Sequence, residues 1–328
     1  MTVNRREVLI KAAFSSLAAA AACNSHAQGA DSARVLVGFP PGGTADVMCR
    51  RVAERLQPGY ARSVVVENRA GAGGQIAVQA MKGLPDDGST MLMTPMSMLG
   101  IYPHTYKKLP YDPLADLVPV SLGATFEFGL GVGPMVPANV NTVGEFMDWC
   151  KANPDQASFG SPAAGSVPHF IGVLLGRASG ATLTHVPYRG TQPALLDAMG
   201  GRLAAVSGLV GDIIQQTAGG KVRLLGVSGA GRNRFAPAVP TYTEQGFKDM
   251  VFNEWYGFYL PAGAQPDAVR RLNAALSVAL TSPEVVQGAA LMGLVSTAST
   301  PATLDVLLKT DTQRWGPIVK SIGFTADS

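Results

Sequence analysis

Small and hydroxyl-bearing residues recur immediately before stretches that read as helices. Gly42-Gly43-Thr44 precedes 45–56. Gly160-Ser161 and Gly165-Ser166 precede the segment that contains His169, and Gly190-Thr191 precedes 192–199. A helix N-terminus presents unpaired backbone N–H groups and a positive partial charge. Glycine lets a ligand approach the backbone closely, and serine or threonine adds a hydroxyl donor. Such loops can therefore hold an anion without lysine or arginine. Each loop alone also serves as an ordinary helix N-cap. Their recurrence in both halves of the chain favours a shared carboxylate site.

Residues for covalent or metal chemistry are missing from this pattern. There is no G-x-S-x-G elbow, no H-E-x-x-H and no phosphate loop ending in G-K-[ST]. His104, His169 and His185 are scattered, with no cysteine or carboxylate at metal-ligand spacing. Gly71-Ala72-Gly73-Gly74 is only a partial dinucleotide fingerprint. No cofactor, no metal and no catalytic residue is expected. Nucleic acid is not an expected partner either, because the 26 basic residues are nearly balanced by 23 acidic ones and form no dense run.

The elements that must position the loops alternate. A β-type run at 34–39 leads to a helix at 45–56, a second β run at 63–67, a helix at 75–82 and a third strand at 90–94. That order is the pattern of a parallel, doubly wound α/β sheet. A second block repeats it, with helices at 143–152, 168–179 and 192–199 and strands near 158, 182–186, 203–207 and 222–227. An aromatic β-like stretch follows at 252–260, then helices at 266–281 and 301–322. Two α/β blocks joined by extended segments suggest a cleft between lobes, with the glycine-rich loops at strand ends where ligands bind.

Of 328 residues, 47% are hydrophobic and only 15% are charged, which excludes a disordered chain. Residues 1–27 read as an export signal. Arg5 and Arg6 precede an apolar stretch at 12–22, and Ser25-His26-Ala27 supplies small residues for cleavage after Ala27. The route reads equally as twin-arginine or Sec. Cys23 offers a lipidation alternative, but leucine is missing three residues before it. Arg5, Arg6 and Lys11 leave with the segment, so the remainder is close to neutral. It has no other long apolar run and reads as soluble and periplasmic. Cys49 and Cys150 read as two buried thiols rather than a disulfide framework.

Several segments together are similar to one family. Phe39-Pro40-Pro41-Gly42-Gly43-Thr44-Ala45-Asp46 resembles the F-P-P-G-G-[ST]-x-D loop of the Bug (TctC-type) family, the periplasmic solute-binding proteins of tripartite tricarboxylate transporters. The run from Val64 to Gly74 resembles V-V-V-E-N-R-x-G-A-G-G, and the run from Tyr106 to Pro113 resembles Y-K-K-L-P-Y-D-P. His185-Val186-Pro187-Tyr188-Arg189-Gly190 resembles H-V-P-Y-[KR]-G, and Trp255-Tyr256-Gly257 and Pro261-Ala262-Gly263 fit later elements. The resemblance implies a two-domain Venus-flytrap of the type II periplasmic binding class. Domain 1 would be 28–124 plus 254–328, and domain 2 would be 125–253. It implies a monomer that closes on a small organic carboxylate and delivers it to permease subunits.

Carried over by position, the first-lobe contacts are Phe39, Gly42, Gly43, Thr44 and Asp46, joined by Thr94, Pro95, Met96 and Ser97 after the third strand. The second lobe contributes Ser161, Gly165, Ser166 and His169, then Thr191, Gln192 and Gly208. Asp46 is expected to order its loop rather than touch an anion. His169 reads as a ligand contact or as a satisfied core histidine. Two departures matter. Thr94-Pro95-Met96 replaces a small polar segment, and Gly208 stands where many members place an aspartate. Without that counter-charge, the expected ligand is not an amino acid but a carboxylate with an apolar or aromatic body. A periplasmic sensor that presents the same ligand to a sensor kinase is the second reading, and a hydrolase without a nucleophile motif is the third.

Overall fold

A computed structural model describes residues 30–326. The export-signal and Cys23 expectations lie outside the described residues. The chain begins with β1 (Ala30–Val37), α1 (Thr44–Leu56), β2 (Ala61–Asn68), a short helix α2 (Gln75–Gln79) and β3 (Thr90–Pro95). The three strands pair in parallel in the order β2-β1-β3. A π-helical turn, Ser97–Ile101, then runs into α3 (Tyr102–Thr105).

The next strand, β4 (Leu117–Val132), is 16 residues long and spans both halves of the sheet. It is followed by α4 (Val143–Ala152), β5 (Ser158–Ser161), α5 (Val167–Ser179), β6 (Thr184–Pro187), α6 (Thr191–Met199), β7 (Ala205–Leu209), α7 (Val210–Thr217) and β8 (Arg223–Val227). The chain returns through β9 (Asn253–Pro261) and ends with α8 (Pro266–Thr281), α9 (Pro283–Leu291), β10 (Val295–Ser296) and α10 (Pro301–Ile322).

The sheet order is β2-β1-β3-β9-β4-β7-β5-β6, with β8 and β10 also on β4. It is mixed rather than purely parallel, because β9 runs antiparallel to both β3 and β4. From Leu117 to Glu127, β4 pairs with β9; from Phe128 to Val132 it pairs with β7 and β8. Two lobes are thus joined where β4 and β9 cross between them. β9 lies centrally, and every residue in it but Asn253 is buried. Phe258 and Leu260 are fully enclosed there, each worth about 1.5–3 kcal/mol of burial. Cys49 and Cys150 are buried and unpaired.

Candidate functional site

A cavity of about 80 Å³ lies between the lobes. Four helices start at its wall: α1 after Gly43, α5 after Ser166, α6 after Gly190 and α7 after Leu209. None of the four has a side-chain cap, whereas Thr142 closes a capping box on α4 and Thr300 caps α10. The hydroxyls at the cavity are used otherwise. Ser166 donates to Ala163 O at 2.7 Å, and Thr44 Oγ1 donates to Asp212 Oδ1 across the cleft. The N–H groups of these helix starts therefore have no capping side chain of their own. Gly190 is required for this arrangement: its φ of +98° turns the chain into α6 in the region that favours glycine.

Eight of the expected site residues line the cavity. Phe39, Gly43 and Thr44 come from the first loop, and Pro95 and Ser97 from the end of β3. Ser166, Thr191 and Gln192 come from the starts of α5 and α6. The other eight sit behind it. Asp46 accepts from Gly42 N at 2.9 Å, from Asn68 Nδ2 at 2.8 Å, and from Nη2 and Nε of Arg50 at 2.9 and 3.0 Å. Burial alone would raise its pKa, but these bonds outweigh it and hold the carboxyl below its ordinary value. Asn68 also donates to Phe39 O at 3.0 Å, so the first loop and the E-N-R segment lock one another in place. Gly42 serves this lock rather than the wall.

Thr94 is buried opposite Gly257 within the sheet, and the Met96 side chain lies over Gly100. Ser161 is held between Ala163 O at 3.1 Å and His185 Nε2 at 2.8 Å. His169 accepts from Gly165 N through Nδ1 at 3.0 Å, which fixes Gly165, and its ring stacks on His185 with centroids 3.8 Å apart. Burial lowers His169 to about 4; burial and the neighbouring His169 lower His185 to about 3. The two histidines form a neutral stack in which His169 is buried and His185 half-buried. A Cβ on Gly38 would come within 2.8 Å of Gly74 Cα, so Gly38 and Gly74 allow a close backbone packing.

Gly208 corrects the argument built on it. A Cβ there would meet Thr191 Cγ2 at 2.5 Å, so the glycine makes room for the start of α6. Negative charge is not missing from the site, because Asp212 and Glu254 both line the cavity, each only 3% exposed. Burial raises Asp212, while hydrogen bonds from Thr44, Thr191 and Gln192 pull the other way. Burial pushes Glu254 up to about 7 against hydrogen bonds from the Ser97 hydroxyl and N–H, the latter 2.6 Å long, with Asp311 adding to the rise. Ser97 Oγ in turn accepts from Val167 N at 3.4 Å, so Glu254 is tied to the second lobe. Sequence reasoning missed both acids. The available signal was a carboxylate inside the otherwise aromatic and apolar run Phe252 to Leu260.

The remaining wall is apolar and aromatic. Phe126, Phe128 and Tyr256 meet there, with Phe126 centred 4.6 Å from Tyr256 and 5.6 Å from Phe128. Arg189 is the single basic residue on the wall. It has no hydrogen bond or ion pair among the described residues. Among the described residues no cluster of histidine, cysteine, aspartate or glutamate could hold a metal ion.

An interlobe cavity lined by helix N-termini, on lobes joined by two crossing strands, defines a two-domain binding protein of the periplasmic type. Comparison with known proteins makes the assignment specific: residues 48–324 match the TctC family, described as the tripartite tricarboxylate transporter family receptor, and the chain belongs to that family. It is 33% identical over 291 residues to Protein BugT of Bordetella pertussis, covering 88% of this chain and 89% of that one. It is similar in fold to R. palustris Rpa4515 solved with adipate (26% identity, TM-score 0.85, 90% of this chain and 98% of that one). It is also similar to MatC from Rhodopseudomonas palustris with bound malate (26% identity, TM-score 0.82, 88% and 98%). The family is one of periplasmic solute-binding proteins.

Proposed function

We propose that this chain captures a small organic carboxylate in the periplasm by closure of its two lobes and hands it to the membrane subunits of a tripartite tricarboxylate-type transporter. The observation that carries the reading is the set of four uncapped helix starts around one interlobe cavity. Their N–H groups offer an anion several donors in a water-poor space, where each is worth more than in water. Adipate and malate in the two structural relatives point to the same ligand chemistry.

In this reading the lobes are 28–124 plus 254–328 and 125–253, and they rotate about the two crossings at β4 and β9. The site residues are those on the wall, with Asp46 and His169 holding the loops that present the N–H groups. Residues 1–27 direct export.

The test is native mass spectrometry of protein taken from its own periplasm, followed by a thermal-shift panel of mono-, di-, tri- and aromatic carboxylates. A specific adduct and a matching acid that raises the melting temperature with concentration support the reading. No adduct and no shift with any acid overturn it.

A further inference from the structure

We propose that the ligand carries a protonated amine beside its carboxylate, and that Glu254 and Asp212 receive that amine. This rests on the carboxylate reading above and narrows it to zwitterions.

The first ground is charge. Arg189 is the one cation on the cavity wall, and Asp212 and Glu254 are two carboxyl groups on the same wall. A bound carboxylate adds a third acidic group, and a di- or tricarboxylate adds more. Like charges as buried as Asp212 and Glu254 repel strongly. One ammonium on the ligand brings the set close to balance.

The second ground is hydrogen-bond capacity. An ionised carboxylate has about four acceptor positions. Glu254 receives the N–H and hydroxyl of Ser97 and no other donor among the described residues. Asp212 takes its donors from Thr44, Thr191 and Gln192, all on the wall of the same cavity. Burial disfavours the charged form of both groups, and an entering donor offsets that cost.

The third ground is the aromatic wall beside the acid. Glu254 pairs in register with Phe126, and Phe126, Phe128 and Tyr256 stand on the same wall. A carboxylate beside clustered aromatic faces is an environment that attracts an ammonium and gives a second carboxylate nothing. The apolar body expected from Phe39 and Pro95 still fits, because both line the cavity.

The experiment is calorimetry on the purified protein with matched pairs: alanine against propanoate, leucine against its deamino acid, aspartate against succinate, and glutamate against glutarate. The amino member of the best-binding pair is expected to bind at least about tenfold more tightly than its partner. Glu254→Gln and Asp212→Asn keep size and one acceptor oxygen while replacing the other with an NH2 donor, and their folding is checked by thermal unfolding. Each is expected to weaken the amino member and strengthen the plain acid, opposite signs that a merely structural loss does not produce. If plain acids bind as tightly as their amino partners, or if neither variant changes the ratio, the proposal is overturned while carboxylate binding stands. If no member of any pair binds, this proposal is overturned, while the carboxylate reading is decided separately by the full panel of mono-, di-, tri- and aromatic acids.

Discussion

Gly211 is the sharpest mechanical test of lobe closure. It is the second residue of α7 in the second lobe, directly before Asp212. A Cβ at this position would lie 1.7 Å from Met292 O, 2.5 Å from Met292 C and 3.0 Å from Gly293 N, all in the turn between α9 and β10 of the first lobe. These are backbone atoms, so no side chain can swing aside, and the lobes must separate locally by about 1 Å or more to admit a methyl group. Overpacking of this kind costs about 1–3 kcal/mol. If the contact forms only on closure, that cost falls on the ligand-bound state and affinity drops by about 5- to 150-fold in Gly211→Ala. The ligand-free melting temperature stays near the parent value. The matched control is Gly133→Ala, whose Cβ would lie 2.1 Å from Ala198 O within the second lobe. That variant loses stability with and without ligand alike. Calorimetry and thermal unfolding on both variants decide the matter. A Gly211→Ala protein that melts early without ligand and binds with unchanged affinity shows that the contact is a permanent part of the fold and refutes the reasoning.

Other perturbations have equally direct outcomes. Thr44→Val removes the hydroxyl that bridges the cleft to Asp212, a bond to a charged group worth about 1.5–3 kcal/mol, and weakens binding by about 10- to 150-fold in calorimetry; an unchanged affinity removes the bridge from the closure mechanism. Asp46→Ala releases Gly42, Asn68 and Arg50 and lowers unfolding free energy by about 2 kcal/mol at neutral pH in urea titration, with affinity falling because the Phe39 loop loosens. Acid sensitivity follows from His169 and His185, whose folded values near 4 and 3 lie below the ordinary 6.5. The unfolded chain binds more protons below 6.5, so stability falls as pH drops from about 6 to 4.5, by about 1.4 kcal/mol per pH unit for each histidine. Unfolding curves of the His169→Gln/His185→Gln double variant are flatter over that window, and an unchanged slope refutes the assignment.

The amphipathic helices at Val143–Ala152, Pro266–Thr281 and Pro301–Ile322 were legible to the residue. Each has an apolar face and a local start signal: a Thr142 capping box, or proline in the first turn. The long strand β4 was not legible, although it joins the lobes. Gly123, Gly129 and Gly131 interrupt its alternation, and the reason for them is tertiary. A Cβ at Gly123 would meet the Phe258 ring at 2.7 Å, one at Gly129 Leu224 at 2.6 Å, and one at Gly131 Ile213 at 2.8 Å. Helix α7 was hidden in the same way, since Gly211 is set by the Met292 backbone rather than by helix propensity.

That blind spot explains why the two buried acids were overlooked. The loops showed through because glycine followed by a hydroxyl residue before a helix is a local signature. The hydroxyls, however, brace the loops and the closure, and the N–H groups they leave free hold the anion in the proposed function. Which acid completes the cavity depends instead on residues whose partners lie far along the chain. Asp212 sits in the unrecognised helix, and Glu254 in a strand that looked apolar. Asp212 lies four positions after Gly208, past the end of β7 and in the first turn of α7, so the expectation of a cavity without counter-charge looked one element too early. In the proposed site, made mainly of backbone donors, ligand selection falls to the few buried side-chain charges, which only the tertiary structure brings to the wall.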